Sequence, residues 1–212
     1  MRTVSSVTIK ATSLLSVAVI WGASIGAVVV QPGAWWALLF AALASGAVGI
    51  GFGRRLGPSR LLAIAGIWAG AAAIFATDAS HTWVSIFAFM ATAAVVYGFM
   101  RRDALVVGAG VAVTWVATAV VVVVTEGGVW ISVFAFLTAA IVANSFGRVG
   151  RGAIAILWWG LAAALMVFLD GAYWLAVIAF VLSALRFGMP VMRMPRRVEW
   201  DFHSDDDSAP AR

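Results

Sequence analysis

Residues 68–102 read WAGAAAIFATDASHTWVSIFAFMATAAVVYGFMRR. An apolar run starts at Trp68, breaks at Asp78-Ala79-Ser80-His81-Thr82, resumes at Trp83 and stops at Arg101-Arg102. Two apolar runs joined by a short polar turn and closed by a basic pair make the pattern of a helical hairpin in lipid. Trp68 and Trp83 are 15 residues apart. A shift of 47 residues carries this pair onto Trp115 and Trp130, and the reverse shift carries it onto Trp21 and Trp36. A further shift of 44 from the third pair reaches Trp159 and Trp174. Phe52-Gly53-Arg54, Phe99-Met100-Arg101 and Phe146-Gly147-Arg148 each begin 16 residues after the second Trp. The fourth copy departs, with Arg186-Phe187-Gly188 at 12 to 14 residues after Trp174. Self-similarity at one period marks a repeat architecture. The expected fold is an all-α integral membrane protein of eight transmembrane helices. They form four tandem helical hairpins, a pseudo-fourfold internal repeat with a period of about 47 residues.

Composition agrees with lipid as the solvent. Of 212 residues, 64% are hydrophobic and 11% are charged, against roughly 25% charged in a soluble domain. Mean hydropathy is +1.04. With no cysteine in the chain, disulfides, thiolate metal sites and cysteine nucleophiles are excluded. The net charge of +5 sits in clusters between apolar runs rather than along one face. That is membrane topology, and no nucleic-acid partner is expected. The early apolar run with Arg2 and Lys10 has signal-peptide character, but it contains Trp21 and Gly22, which belong to the repeat, and lacks a small-x-small cleavage site.

The order along the chain is a cytoplasmic N-terminus at 1–10, a membrane domain at 11–188 and a flexible charged cytoplasmic tail at 189–212. The hairpins fall at about 11–55, 60–102, 104–148 and 152–188. Under an eight-span reading all 14 basic residues lie on one side. The opposite turns carry Gln31, Asp78, Glu126 and Asp170. The positive-inside rule then predicts a multi-pass cell-membrane protein with both termini cytoplasmic.

The second Trp of each pair, Trp36, Trp83, Trp130 and Trp174, falls at the outer end of an even helix. Indoles there act as interface anchors, with the ring in an apolar layer and the N–H near water; an aromatic ligand site on the outer face is the other reading. The first Trp of each pair, Trp21, Trp68, Trp115 and Trp159, falls mid-span, where the indole N–H needs a partner. Ser45, Thr92, Ser132 and Thr138 are the candidate partners across helix boundaries. These four indoles fill space between hairpins, converge on a pseudo-fourfold centre to line a small-molecule or lipid cavity, or face lipid. Gly22/Gly26 and Gly66/Gly70 form GxxxG pairs, and Gly160/Ala164 a looser one, that favour close helix approach.

Arg186 stands in an apolar run near its cytoplasmic end, where it can snorkel or meet an anionic headgroup or partner. Asn144 near the same level can hydrogen-bond a neighbouring helix. Asp78, Glu126 and Asp170 cap outer turns, with a cation ring as the sharper alternative. His81 adds one ligand to dispersed carboxylates, which is too little for a metal site. No span centre carries Asp, Glu, Lys or His, and no filter, phosphate-loop, HExxH or triad pattern is present. No enzyme activity, cofactor or metal is expected.

Tandem hairpins of this length over residues 11–188, with Gly- and Ala-rich spans and no catalytic residues, resemble the HdeD-like group of small bacterial membrane proteins. The resemblance implies an inner-membrane protein linked to stress or acid resistance, and it carries over no functional residue. The expected function is therefore non-enzymatic binding of a membrane lipid, a small hydrophobic ligand or a membrane protein partner, including a second copy of the chain. A channel or facilitator with a pore between hairpins is the alternative, and an accessory subunit of a larger membrane complex is a third reading.

Overall fold

The computed structural model of the chain describes residues 6–50, 57–98, 105–144 and 150–188. The Phe-x-Arg hairpin ends, the basic loops that hold them and the tail lie outside the described residues, as does the side chain of Arg186. Every regular element among the described residues is helical. Eight α-helices follow in order: α1 (Ser6–Val30), α2 (Trp36–Ile50), α3 (Pro58–Thr77), α4 (Val84–Tyr97), α5 (Leu105–Thr125), α6 (Ile131–Asn144), α7 (Gly150–Phe168) and α8 (Trp174–Gly188).

Among the described residues five segments are long and apolar enough to cross a membrane: Ala11–Val30, Pro32–Ile50, Pro58–Thr77, Ala79–Tyr97 and Leu105–Thr125. Ile131–Asn144, Gly152–Phe168 and Trp174–Ser183 are apolar but shorter. A crossing takes about 20 residues at a rise of about 1.5 Å each. The helix starts follow local chemistry. Pro58 opens α3 at a position where its missing N–H costs nothing. Short 3-10 turns at Pro32–Ala34 and Ala79–Trp83 lead into α2 and α4. The Asp78 carboxylate accepts from Ser80 N at 2.7 Å, so it caps that 3-10 turn rather than α4 itself.

The helices pack in two rows. α1, α3, α5 and α7 lie side by side in chain order, and α2, α4, α6 and α8 form the second row. Each hairpin contributes one helix to each row. Neighbours in a row are consecutive copies, so the arrangement is an open stack rather than a ring about one centre.

Different residues hold the two rows together. The odd row is held by missing side chains. A Cβ on Gly66 would lie 2.4 Å from the Ala112 Cα, and one on Gly70 would lie 2.7 Å from the Trp115 carbonyl oxygen. A Cβ on Gly108 would meet the Ser59 carbonyl oxygen closer still, and one on Gly152 the Val106 carbonyl oxygen. Lipid tails are as apolar as the helix surfaces, so close backbone approach and dispersion take the place of hydrophobic drive. Of the GxxxG pairs, only Gly66/Gly70 meets a neighbour. Gly22, Gly26 and Gly160 have nothing within 4 Å of a Cβ, because that helix face turns away from the stack.

The even row is held by rings. Phe40 of α2 pairs with Phe89 of α4 at 6.4 Å, Phe87 of α4 with Phe136 of α6 at 5.8 Å, and Phe134 of α6 with Phe180 of α8 at 5.6 Å. Phe40, Phe87 and Phe134 are spaced by 47 residues, as are Phe89 and Phe136, with Phe180 a further 44 on. Each pair therefore joins the first position of one hairpin to the second position of the next. The end helices lack the ring that would point outward: Ala42 stands at the second position in α2, and Ile178 at the first position in α8. Inside the stack, Ala41, Ala88, Ala135 and Ala179 occupy the same point of the four even helices, and all are buried.

Candidate functional site

Three of the four mid-span indoles are fully buried. Trp68, Trp115 and Trp159 each sit at the middle of their helix with no exposed surface, whereas Trp21 on the end helix α1 is half-buried. They lie along the odd row and do not gather at one centre. Their polar environments differ, and the sequence explains why. Trp68 Nε1 donates to Thr92 Oγ1 at 3.0 Å, and that hydroxyl donates onward to the Ala88 carbonyl at 2.8 Å. Both capacities of the threonine are thereby used. Trp159 Nε1 reaches back to the preceding hairpin and donates to Thr138 Oγ1 at 3.1 Å.

Trp115 has neither option. Ala139 occupies the position equivalent to Thr92, and Ala91 the one equivalent to Thr138. Its indole N–H is buried with no hydrogen-bond partner. In the first hairpin Ser45 stands where Thr92 would, and its hydroxyl is buried without a partner, as is that of Ser132. Two of the four candidate hydroxyls thus serve indoles and two do not.

The opposite end of the hairpins, where the short turns lie, carries the exposed aromatics. Trp36, Trp83, Trp130 and Trp174 are each between about one third and three fifths exposed. Trp36 stacks on Trp35 with centroids 4.2 Å apart. Trp83 meets Phe87 edge-on at 5.7 Å, and Trp130 meets Phe134 at 5.8 Å. Tyr173 packs edge-on against Trp130 at 6.4 Å and donates its hydroxyl to Thr125 Oγ1 at 2.9 Å, tying the last two hairpins together at this end. Gly128 makes room for it, since a Cβ there would lie 2.4 Å from the tyrosine ring. At the other end Tyr97 ties α4 to the Ala47 carbonyl of α2 at 3.2 Å. Sequence reasoning did not find these tyrosine ties or the Phe pairs. The 47-residue spacing of Phe40, Phe87 and Phe134 is the signal that marks the Phe pairs.

The acidic turns divide into two kinds. Asp78 is extended, with φ −156°, and its hydrogen bond from Ser80 lowers its pKa below the ordinary 3.8, with a smaller contribution from nearby His81. Glu126 and Asp170 adopt left-handed backbone, with φ of 51° and 39°. Asp78 and Glu126 line one cleft of about 530 Å³ with Thr77, His81, Val122 and Val123. Thr77 Oγ1 donates to the Ile74 carbonyl at 2.7 Å, so the 3.2 Å contact with His81 Nδ1 has the ring nitrogen as donor. Among the described residues no group of three or more His, Asp or Glu lies close enough to hold a metal ion. Asn144 does not reach another helix through its amide donor: Nδ2 donates to the Ala140 carbonyl of its own helix at 2.8 Å.

A second cleft of about 420 Å³ opens between the first two hairpins, lined by Gly33, Trp36, Phe40, Ala79, Ser80, Thr82, Trp83 and Ile86. No family model matches the chain, and no curated protein or solved structure matches it either.

Proposed function

We propose that the chain is an eight-span, multi-pass cell-membrane protein built of four tandem hairpins, and that it binds a lipid or small hydrophobic ligand without catalysing a reaction. Five segments of spanning length support the membrane setting. The shorter sixth helix lies within an apolar sequence that continues to Phe146. Both termini are assigned to the cytoplasm because the basic residues cluster away from the turns at Gln31, Asp78, Glu126 and Asp170.

One observation favours binding over conduction. The mid-depth of the odd row is filled by Trp68, Trp115 and Trp159, all without exposed surface. A pore between hairpins would have to displace them. Two clefts at the turn end offer room, rimmed by aromatic and polar side chains. Both clefts fall within the range of about 300–1,000 Å³ typical of small-ligand sites. A role in stress resistance rests on the HdeD-like resemblance alone.

The test has two parts. The chain purified in detergent is extracted with organic solvent and the extract is examined by mass spectrometry, where one species retained in stoichiometric amount is expected. The chain in proteoliposomes is assayed for ion and water flux, where the empty-liposome rate is expected. Flux above that rate supports the channel and contradicts the binding reading.

A further inference from the structure

We infer that the 420 Å³ cleft between α2 and α4 is a binding site for a neutral ring alcohol of the phenol or quinol class, dissolved in the membrane. The inference rests on the membrane reading above.

The other end of the stack shows what fills the equivalent space. The Phe40–Phe89 and Phe134–Phe180 pairs put the first two hairpins and the last two in the same register. In that register Trp36, Phe40, Thr82 and Trp83 of the cleft correspond to Trp130, Phe134, Tyr173 and Trp174. Between the last two hairpins this space holds a ring of the protein's own. Tyr173 stands edge-on to Trp130 and donates its hydroxyl hydrogen bond to Thr125 Oγ1. Between the first two hairpins Thr82 takes the place of that tyrosine, and its small side chain turns back to donate to the Ala79 carbonyl. The two indoles and Phe40 are still present as walls, and the space between them is open. Thr82 and Ser80 at its polar edge carry hydroxyl oxygens that can accept from a ring hydroxyl.

Charge excludes an anionic headgroup as the occupant. No Lys or Arg occurs at 11–53 or at 61–100. Asp78, next to the lining residues Ala79 and Ser80, would repel a phosphate. Trp36 and Trp83 set the cleft at headgroup depth, where the hydroxyl of an alkylphenol lies while its tail runs into the bilayer.

The test uses the full chain in phosphatidylcholine nanodiscs and a 4-alkylphenol with a diazirine in its alkyl chain. After irradiation, adducts are mapped by peptide mass spectrometry. Adducts concentrated in 33–40 and 79–86 and displaced by unlabelled 4-octylphenol are expected. Trp36→Ala removes one wall, and Ile86→Trp, at a 40% exposed position, closes the mouth. Trp36→Ala should cut labelling about fivefold, the worth of one aromatic contact, and Ile86→Trp, which blocks entry, should cut it at least as far, both variants keeping a cooperative thermal unfolding transition. Even labelling of all hairpins, or labelling that both variants leave intact, overturns the assignment. So does a diazirine phosphatidylcholine that labels the same peptides and is not displaced by the phenol, which would make the occupant a phospholipid. A chain that does not enter nanodiscs defeats the membrane reading itself. A chain that enters them and shows no phenol-displaced labelling defeats only this assignment.

Discussion

Trp68 and Thr92 are joined by a 3.0 Å hydrogen bond at the buried centre of their hairpin, and the equivalent pair one copy later, Trp115 and Ala139, cannot form it. One side chain thus separates a satisfied indole from an orphaned one in otherwise matching surroundings. Thr92→Val keeps the shape and removes the acceptor, and Thr138→Val does the same to Trp159. Each should cost about 1 kcal/mol, within the range for buried polar contacts in membrane bundles. Ala139→Ser offers Trp115 an acceptor and should gain about 0.5 kcal/mol. Reversible unfolding in mixed micelles measures all three. A Thr92→Val chain as stable as the parent would contradict the assignment.

Gly66 and Gly22 sit in the same kind of motif with opposite surroundings. Gly66→Ala drives a Cβ to 2.4 Å from the backbone of Ala112, and the α3–α5 contact must open, at about 2 kcal/mol. Gly22→Ala meets nothing within 4 Å and should stay within about 0.5 kcal/mol of the parent. The same unfolding assay reads both, and equal effects would mean that the odd row is not held by close backbone approach.

The third turn stores strain and a tie. Glu126 holds φ 51°, so Glu126→Gly relieves a left-handed residue and should stabilise by about 0.5 kcal/mol net of glycine's entropy. Tyr173→Phe removes the hydroxyl from Thr125 and should cost about 1 kcal/mol. Gly128→Ala meets both a φ of 69° and the Tyr173 ring, so it should cost more than Tyr173→Phe. Hydrogen exchange at the α5–α6 and α7–α8 turns locates the effects, and a tolerated Gly128→Ala would contradict the packing of Tyr173.

Much of this is legible in the residues. The 15-residue Trp spacing separates the buried mid-helix indoles from the exposed ones, and Thr92 and Thr138 stand among the hydroxyls that the spacing offers as partners. What spacing does not reveal is how copies stack. A ring and a row of hairpins have the same period, so the convergence of Trp21, Trp68, Trp115 and Trp159 is open until the neighbours are known. Trp21 is half-buried because α1 has a row neighbour on one side only. The absent rings at Ala42 and Ile178 carry that information, but only once Phe40–Phe89 and its two counterparts are seen to be pairs. Gly22/Gly26 and Gly66/Gly70 look alike as motifs for the same reason: a glycine pair states what a helix permits, and the neighbour decides whether it is used.

Sidedness tests the account most directly. The chain has no cysteine, so single thiols at Ser80, Ala172 and Ser204 report without background. With eight spans, an impermeant maleimide added to intact cells labels Ser80→Cys and Ala172→Cys, while Ser204→Cys reacts only after permeabilisation. If Ala172→Cys and Ser204→Cys label from the same side, α8 does not cross and the eight-span account is wrong.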